Sequence, residues 1–149
     1  MKKKIKNLMI TISTCLIAIL IITVIILFIL SSIIYIMLFR QRFNPNPLLK
    51  YFDADDFSLT TEPVEVSDQE DKTILRGYIY HKGPGDKGVV VFCHGIGPGQ
   101  IAYTTEINYF CEQNYTVIAI DDVGCNFSDG KHIRGMRCGV EAAILAVKY

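Results

Sequence analysis

The chain has 149 residues, and its fifteen Lys and Arg balance fifteen Asp and Glu to a formal net charge of zero. That length suits roughly one domain, while a 50% hydrophobic content and a mean hydropathy of +0.30 are high for a purely soluble one. The charge is uneven: every acid follows residue 50, and setting aside Lys2, Lys3, Lys4, Lys6, Arg40 and Arg42 leaves nine basic residues against fifteen acids, about −6. This argues against a nucleic-acid partner, because displacing counterions from phosphates needs clustered Lys and Arg.

Residues 1–6 read as a basic tail and 7–39 as a transmembrane helix. No charged residue occurs from Asn7 to Phe39, and Lys6 and Arg40 bracket the run. A bilayer core of ~30 Å needs about 20 apolar residues as a helix, and a helix satisfies its own backbone within lipid. The surplus length is taken up by tilt or by a last turn that emerges. A cleaved signal peptide is the competing reading, but its apolar region spans only about 7–15 residues before a small-x-small site. The expectation is an uncleaved, single-pass anchor in the cell membrane, with the lipid bilayer as partner. The four lysines place the amino terminus inside and the domain outside by the positive-inside rule. Arg40, Arg42 and Lys50 on the other flank, and four downstream cysteines, pull the other way.

Residues 40–56 read as a linker, since Asn44-Pro45-Asn46-Pro47 discourages helix. A domain is expected over 57–149. Residues 57–59 and 64–66 form an edge strand or hairpin arm, limited to an edge by Pro63, and 68–72 is a charged turn. Residues 73–81 alternate as a strand, with Leu75, Gly77 and Ile79 on one face and Ile74, Arg76, Tyr78 and Tyr80 on the other. After the turn Gly83-Pro84-Gly85-Asp86, residues 88–93 (GVVVFC) are a continuous apolar run, the pattern of a strand buried on both faces. A helix over 103–113 puts Tyr103, Ile107, Phe110 and Cys111 on one side. Residues 115–120 (YTVIAI) are a second buried strand. A last helix from 135 aligns Met136, Val140, Ala143, Ile144 and Val147. This order predicts an α/β fold with a mostly parallel sheet flanked by helices.

Two motifs carry chemistry. The strand VVVFC runs into His94-Gly95-Ile96-Gly97-Pro98-Gly99, and YTVIAI runs into Asp121-Asp122-Val123-Gly124-Cys125-Asn126-Phe127-Ser128-Asp129-Gly130. At this separation they resemble the α/β-hydrolase superfamily, in particular its serine-aminopeptidase and lysophospholipase-like branch, over residues 57–149. That branch shows an apolar strand ending in His-Gly, then a second strand and a loop D-x-x-G-x-G-x-S-x-G. Asp121, Gly124, Ser128 and Gly130 match; Val123 stands at a common Arg and Asn126 at a common Gly.

The resemblance implies a parent serine hydrolase of ester or peptide bonds, with a Ser-His-Asp triad whose serine sits in a G-x-S-x-G elbow. It also implies an oxyanion hole with one donor from the loop after the His-Gly strand. Here that donor is the backbone N–H of Ile96, in an oxyanion loop formed by His94, Gly95 and Gly97. No G-x-S-x-G occurs in the sequence. The expectation is a partial α/β-hydrolase fold, C-terminal half missing, with no catalytic triad residue present and no activity alone. The strand over 88–93 then presents an open apolar edge. Residues 43–149 by themselves are expected to be poorly soluble or not cooperatively folded. Alternatively the chain is a non-catalytic membrane protein whose half-fold binds a second polypeptide that completes the sheet.

Other readings of the same residues compete. His94 follows Cys93, but adjacent strand residues face opposite ways and form no dyad. Ser128, His132 and Asp121 suggest a triad, against a loop-supporting role for Ser128 and bonding of Asp121 and Asp122 to loop N–H groups. The glycines after His94, with Asp121 ending the next strand, resemble a dinucleotide fingerprint, although Gln100 holds the third glycine position and Pro98 removes a donor. No cofactor is expected. The five cysteines, at 15, 93, 111, 125 and 138, show no metal spacing and read as small buried hydrophobes, with a disulfide left open.

Overall fold

The computed structural model describes residues 2–67, 72–135 and 137–149. It contains two compact units, Met1–Leu38 and Phe39–Tyr149. The first is one helix, α1, spanning Lys2–Phe39. Its start lies within the lysine-rich stretch, because Lys is a good helix former and no Gly or Pro interrupts. Its 38 residues span roughly 57 Å at the usual rise per residue, and its most apolar window has a mean hydropathy of 3.2. The few polar side chains turn inward on the backbone: Thr11 donates to the Asn7 carbonyl at 3.0 Å, Thr23 to Ile19 at 2.9 Å and Ser32 to Phe28 at 2.8 Å. No hydroxyl among these demands water, so α1 is long and apolar enough to cross a membrane.

The second unit runs through a 3-10 turn at Asp55–Phe57, then β1 (Thr60–Ser67), β2 (Ile74–His81), β3 (Val89–Phe92), a 3-10 turn at Gln100–Tyr103, α2 (Thr104–Glu112), β4 (Thr116–Ile120) and α3 (Arg137–Lys148). The sheet order is β1-β2-β4-β3. Only β3 and β4 are parallel, with Val90 opposite Val117. β1 pairs antiparallel with β2, Pro63 opposite Tyr78, and β2 antiparallel with β4, Tyr78 opposite Ala119. The sheet is therefore mixed, not mostly parallel: a hairpin supplies two strands, and only the α2 crossover makes a parallel connection. In chain order, a long apolar helix is followed by a small, partial α/β fold.

Strand alternation sends side chains to two cores. Val64, Val66, Leu75 and Ile120 pack with Cys138, Ala142 and Ala146 of α3. Leu59, Tyr80, Val117 and Ala119 pack with Ile107 and Cys111 of α2. The faces expected for residues 73–81 and for the helix carrying Ile107 and Cys111 are those observed. β4 is buried on both sides, as its apolar run predicts.

Several expectations are corrected. Phe57 lies in a 3-10 turn rather than a strand. β3 is not buried on both faces: it is a sheet edge, and Val89 is 62% exposed. On α3 the buried side is Cys138, Ala142 and Ala146, whereas Val140, Ile144 and Val147 are exposed. Small residues let that helix sit close on the sheet, leaving its bulkier stripe uncovered. The stretch read as a linker is built into the domain: Phe43 bridges Cys125 in parallel, donates to the Gly124 carbonyl at 2.9 Å and accepts from the Asn126 N–H at 2.8 Å. The charged turn at 68–71 and Met136 lie outside the described residues.

The exposed stripe on α3 lines an apolar groove with Ala143 and with Cys93, the residue that follows β3. Apolar area of this kind drives association. The full chain in detergent micelles is expected to self-associate through its domain. Ile144→Lys with Val147→Lys should lower the sedimentation coefficient toward that of a monomer, whereas Ala142→Lys, placing charge in the core, should abolish the near-UV dichroism.

Candidate functional site

The parallel strands β3 and β4 end side by side, and the loops that follow them, 93–99 and 121–130, form the candidate site. Such a position, outside the carboxyl ends of parallel strands, is where α/β sheets gather ligands and chemistry. The geometry begins with Asp121, which is 0% exposed. Its Oδ1 accepts the Gln100 N–H at 2.7 Å, and its Oδ2 accepts Asn126 Nδ2 at 2.9 Å and the Phe127 N–H at 3.5 Å. One carboxylate thus ties the end of the first loop to the middle of the second. Burial pushes its pKa up, and those donors pull against the rise.

His94 makes the second tie. Its Nδ1 lies 2.7 Å from the Gly95 carbonyl and its Nε2 accepts the Asp122 N–H at 2.9 Å. This pair of contacts assigns the Nδ1–H tautomer of the neutral ring. Both nitrogens are spent, so His94 holds the loop rather than moving protons. Cys93 beside it is exposed while His94 is buried; they face apart. Asp122 carries its carboxylate beneath α3, where Cys138 Sγ approaches Oδ2 at 3.7 Å; burial pushes its pKa up.

Ser128 is likewise structural. Its Oγ accepts the Arg76 N–H at 2.8 Å and donates to the Asp121 carbonyl at 2.5 Å. No bond joins it to His132, so the imagined Ser128-His132-Asp121 triad is not assembled. Gly124 has φ 74°, and a Cβ there would collide with the His132 backbone. Gly130 also has a left-handed φ, 110°. Asn126, at the position where glycine is common, has φ 38°; Asn is among the few non-glycine residues that tolerate this region.

The loop 94–99 differs in one detail from expectation. Neither Gly95 nor Gly97 has a left-handed φ; the glycine that needs one is Gly99, at 92°. A Cβ on Gly99 would strike the Asp121 carboxylate, so this glycine permits the tie to Gln100. Ile96 is 52% exposed, and among the described residues nothing is bonded to its N–H. A fixed loop therefore presents an uncommitted backbone donor, the property an oxyanion site needs.

No local pattern announces the part played by Arg42. Its guanidinium donates to the carbonyls of Gly130 at 2.6 Å, Ser128 at 3.0 Å and Asn126, three acceptors offered by one turn of the second loop. Arg76 holds the same loop through Asp129 at 2.7 Å and also pairs Glu65 at 2.8 Å; the Arg76 guanidinium holds the Asp129 carboxyl below its usual range. The thiols of Cys111 and Cys125 are buried, free and pushed up by burial to about 11 and about 12; Cys138 is buried and free as well. The dinucleotide reading fails on geometry, because the Asp121 carboxylate is buried within the protein's own bonds and cannot reach a ribose. Among the described residues no group of three or more His, Cys, Asp or Glu is placed to hold a metal.

These ties give energetic expectations. Asp121→Ala leaves three donors without their acceptor and should cost about 2–4 kcal/mol of unfolding free energy in denaturant melts. Arg42→Ala should cost about 1–3 kcal/mol, and a piece beginning at residue 43 should melt below one beginning at 39. Asp122 has a raised pKa, so the folded state binds its proton more tightly than the unfolded state does. Stability from this group is therefore present at low pH and is lost as pH rises above the ordinary carboxyl value of 3.8. Asp122→Asn should flatten that part of the stability–pH curve.

No family model matches the chain, and no curated protein does. Solved structures do. An esterase of Pyrococcus furiosus, in one crystal form, superposes with a TM-score of 0.54 at 24% identity, over 72% of this chain and 41% of that one. A second crystal form gives 0.54 at 25% identity, over 70% and 42%. The chain spans about two fifths of the esterase's length, and over that span its fold is similar to the esterase's.

Proposed function

We propose that this chain is the N-terminal portion of a membrane-anchored serine hydrolase of ester or peptide bonds, supplying one oxyanion donor and no nucleophile. The observation that carries this is the free Ile96 N–H on a loop pinned by His94 and Asp121. Acyl transfer develops negative charge on a carbonyl oxygen, and a donor fixed before the reaction stabilises it without reorganisation. The likeness to an esterase supports the reading, as does the matching loop motif of Asp121, Gly124, Ser128 and Gly130. The nucleophile, acid and base belong to polypeptide that this sequence does not contain. α1 holds the assembly in the cell membrane as a single pass, amino terminus inside and domain outside.

A second reading has its own support. The bare β3 edge and the Val140, Ile144 and Val147 stripe suit a partner chain, which makes the protein a non-catalytic membrane component whose half-sheet is completed by another polypeptide.

A fluorophosphonate probe, which labels activated serines, should leave the chain alone unlabelled; strong labelling overturns the proposal. Joined to or co-expressed with a segment bearing G-x-S-x-G, the assembly should label and hydrolyse a short-chain ester. Ile96→Pro, which removes the N–H, should then lower kcat by about 10²–10³. Complex formation without hydrolysis favours the second reading.

A further inference from the structure

Shortly after α1 the chain makes a tight turn whose tip is leucine. Pro47 and Leu48 form its centre, and the Leu49 N–H closes it on the Asn46 carbonyl at 3.0 Å. Proline's fixed φ suits the second position of such a turn. The Leu48 N–H donates to Asn46 Oδ1 at 3.0 Å, and the Asn46 N–H donates to the Tyr51 hydroxyl at 3.1 Å. Proline has no N–H, so every backbone donor of residues 46–49 is used within the segment.

Leu48 is nonetheless 90% exposed and Leu49 59%, and Phe52 faces outward with them. A single exposed leucine needs no explanation. Two on the tip of a pre-bonded turn, beside an exposed aromatic ring, make a projecting apolar point. Lys50 stands next to it, with Nζ 5.6 Å from the centre of the Phe52 ring. Asp53 and Asp56 belong to the following turn, where each accepts the other's N–H.

The chain itself indicates what covers this point. α1 ends at Phe39, and Arg40 is the first charge after the uncharged run that starts at Asn7. Residues 40–48 extend over at most about 30 Å, so the tip lies within reach of the surface at which α1 leaves a bilayer. Lipid accepts no unpaired backbone donor, a condition that residues 46–49 meet. A partner strand, in contrast, recognises free backbone groups on an edge. Apolar residues mixed with Tyr, Phe and Lys are also the composition of the boundary between membrane and water.

We propose that Leu48 and Leu49 insert into the headgroup–acyl boundary of the bilayer that α1 crosses, with Lys50 among the phosphates, and so hold the domain to the lipid surface at a second point. The inference rests on the reading of α1 as a membrane span and on no residue of the two hydrolase-like loops.

The chain contains no tryptophan, so single Trp substitutions report depth directly. The full chain is reconstituted in phosphatidylcholine–phosphatidylglycerol vesicles, with and without phosphatidylcholine brominated on its acyl chains. Leu48→Trp and Leu49→Trp should each show blue-shifted emission and lose intensity to the brominated lipid. Tyr109→Trp, at an exposed position on α2, should keep both its red emission and its intensity. Ile22→Trp, within α1, reports on the anchor separately and should be quenched most. Quenching of Ile22→Trp without quenching at 48 or 49 overturns the insertion and leaves the anchor standing; an unquenched Ile22→Trp overturns the anchor and the insertion with it. Equal quenching of Leu48→Trp and Tyr109→Trp also overturns the proposal. So does a blue shift at 48 without quenching, because another protein surface or a second copy of this chain then covers the tip.

Discussion

The arrangement of the domain depends on one buried carboxylate. Asp121 leaves the end of β4 and gathers donors from both loops: the Gln100 N–H on one side, the Asn126 amide and Phe127 N–H on the other. A fully buried acid is expensive unless its oxygens are bonded, and here both are. The same constraint explains neighbours that otherwise look arbitrary. Gly99 is needed because a side chain would occupy the space of that carboxylate, and Ser128 spends its hydroxyl on the Asp121 carbonyl and the Arg76 N–H. Asn126 adopts a left-handed backbone that lets its amide reach back.

A loop fixed this way can offer a donor that is used for nothing else. His94 adds a second restraint from the opposite end, its two ring nitrogens joining Gly95 to Asp122. Between these restraints Ile96 stays exposed with its N–H open. Polar side chains thus serve as supports, and a backbone donor is left uncommitted. Arg42 and Arg76 reinforce the arrangement from outside, capping carbonyls that the tight turn of 126–130 leaves pointing outward.

The surfaces tell a complementary story. On the inner sides of the sheet, small residues such as Ala142 and Ala146 admit α3 closely, and Ile107 and Cys111 fix α2. The other side of α3 and the free edge of β3 carry Val140, Ile144, Val147 and Val89 into the open. An edge strand of this composition is one that proteins normally pair or cover.

Elements whose signal is local can be read from residue order alone. Most of α1 is legible because no charge interrupts the run from Asn7 to Phe39, β2 and β4 because alternation and apolar runs set their faces, and α2 because Ile107 and Cys111 recur at helical spacing. The His-Gly and Asp121–Gly130 motifs were legible because turns demand particular residues at fixed offsets. Which of two plausible surfaces meets which neighbour is settled by long-range packing. α3 carries an apolar stripe at Val140, Ile144 and Val147 and a small-residue stripe at Cys138, Ala142 and Ala146. Periodicity favours the bulkier one, yet close approach to the sheet selects the smaller. The antiparallel seat of β2 beside β4, and the reach of Arg42 to carbonyls more than eighty residues away, are likewise long-range choices. They depend on shape and on unpaired acceptors elsewhere in the chain, and neither leaves a local pattern in sequence.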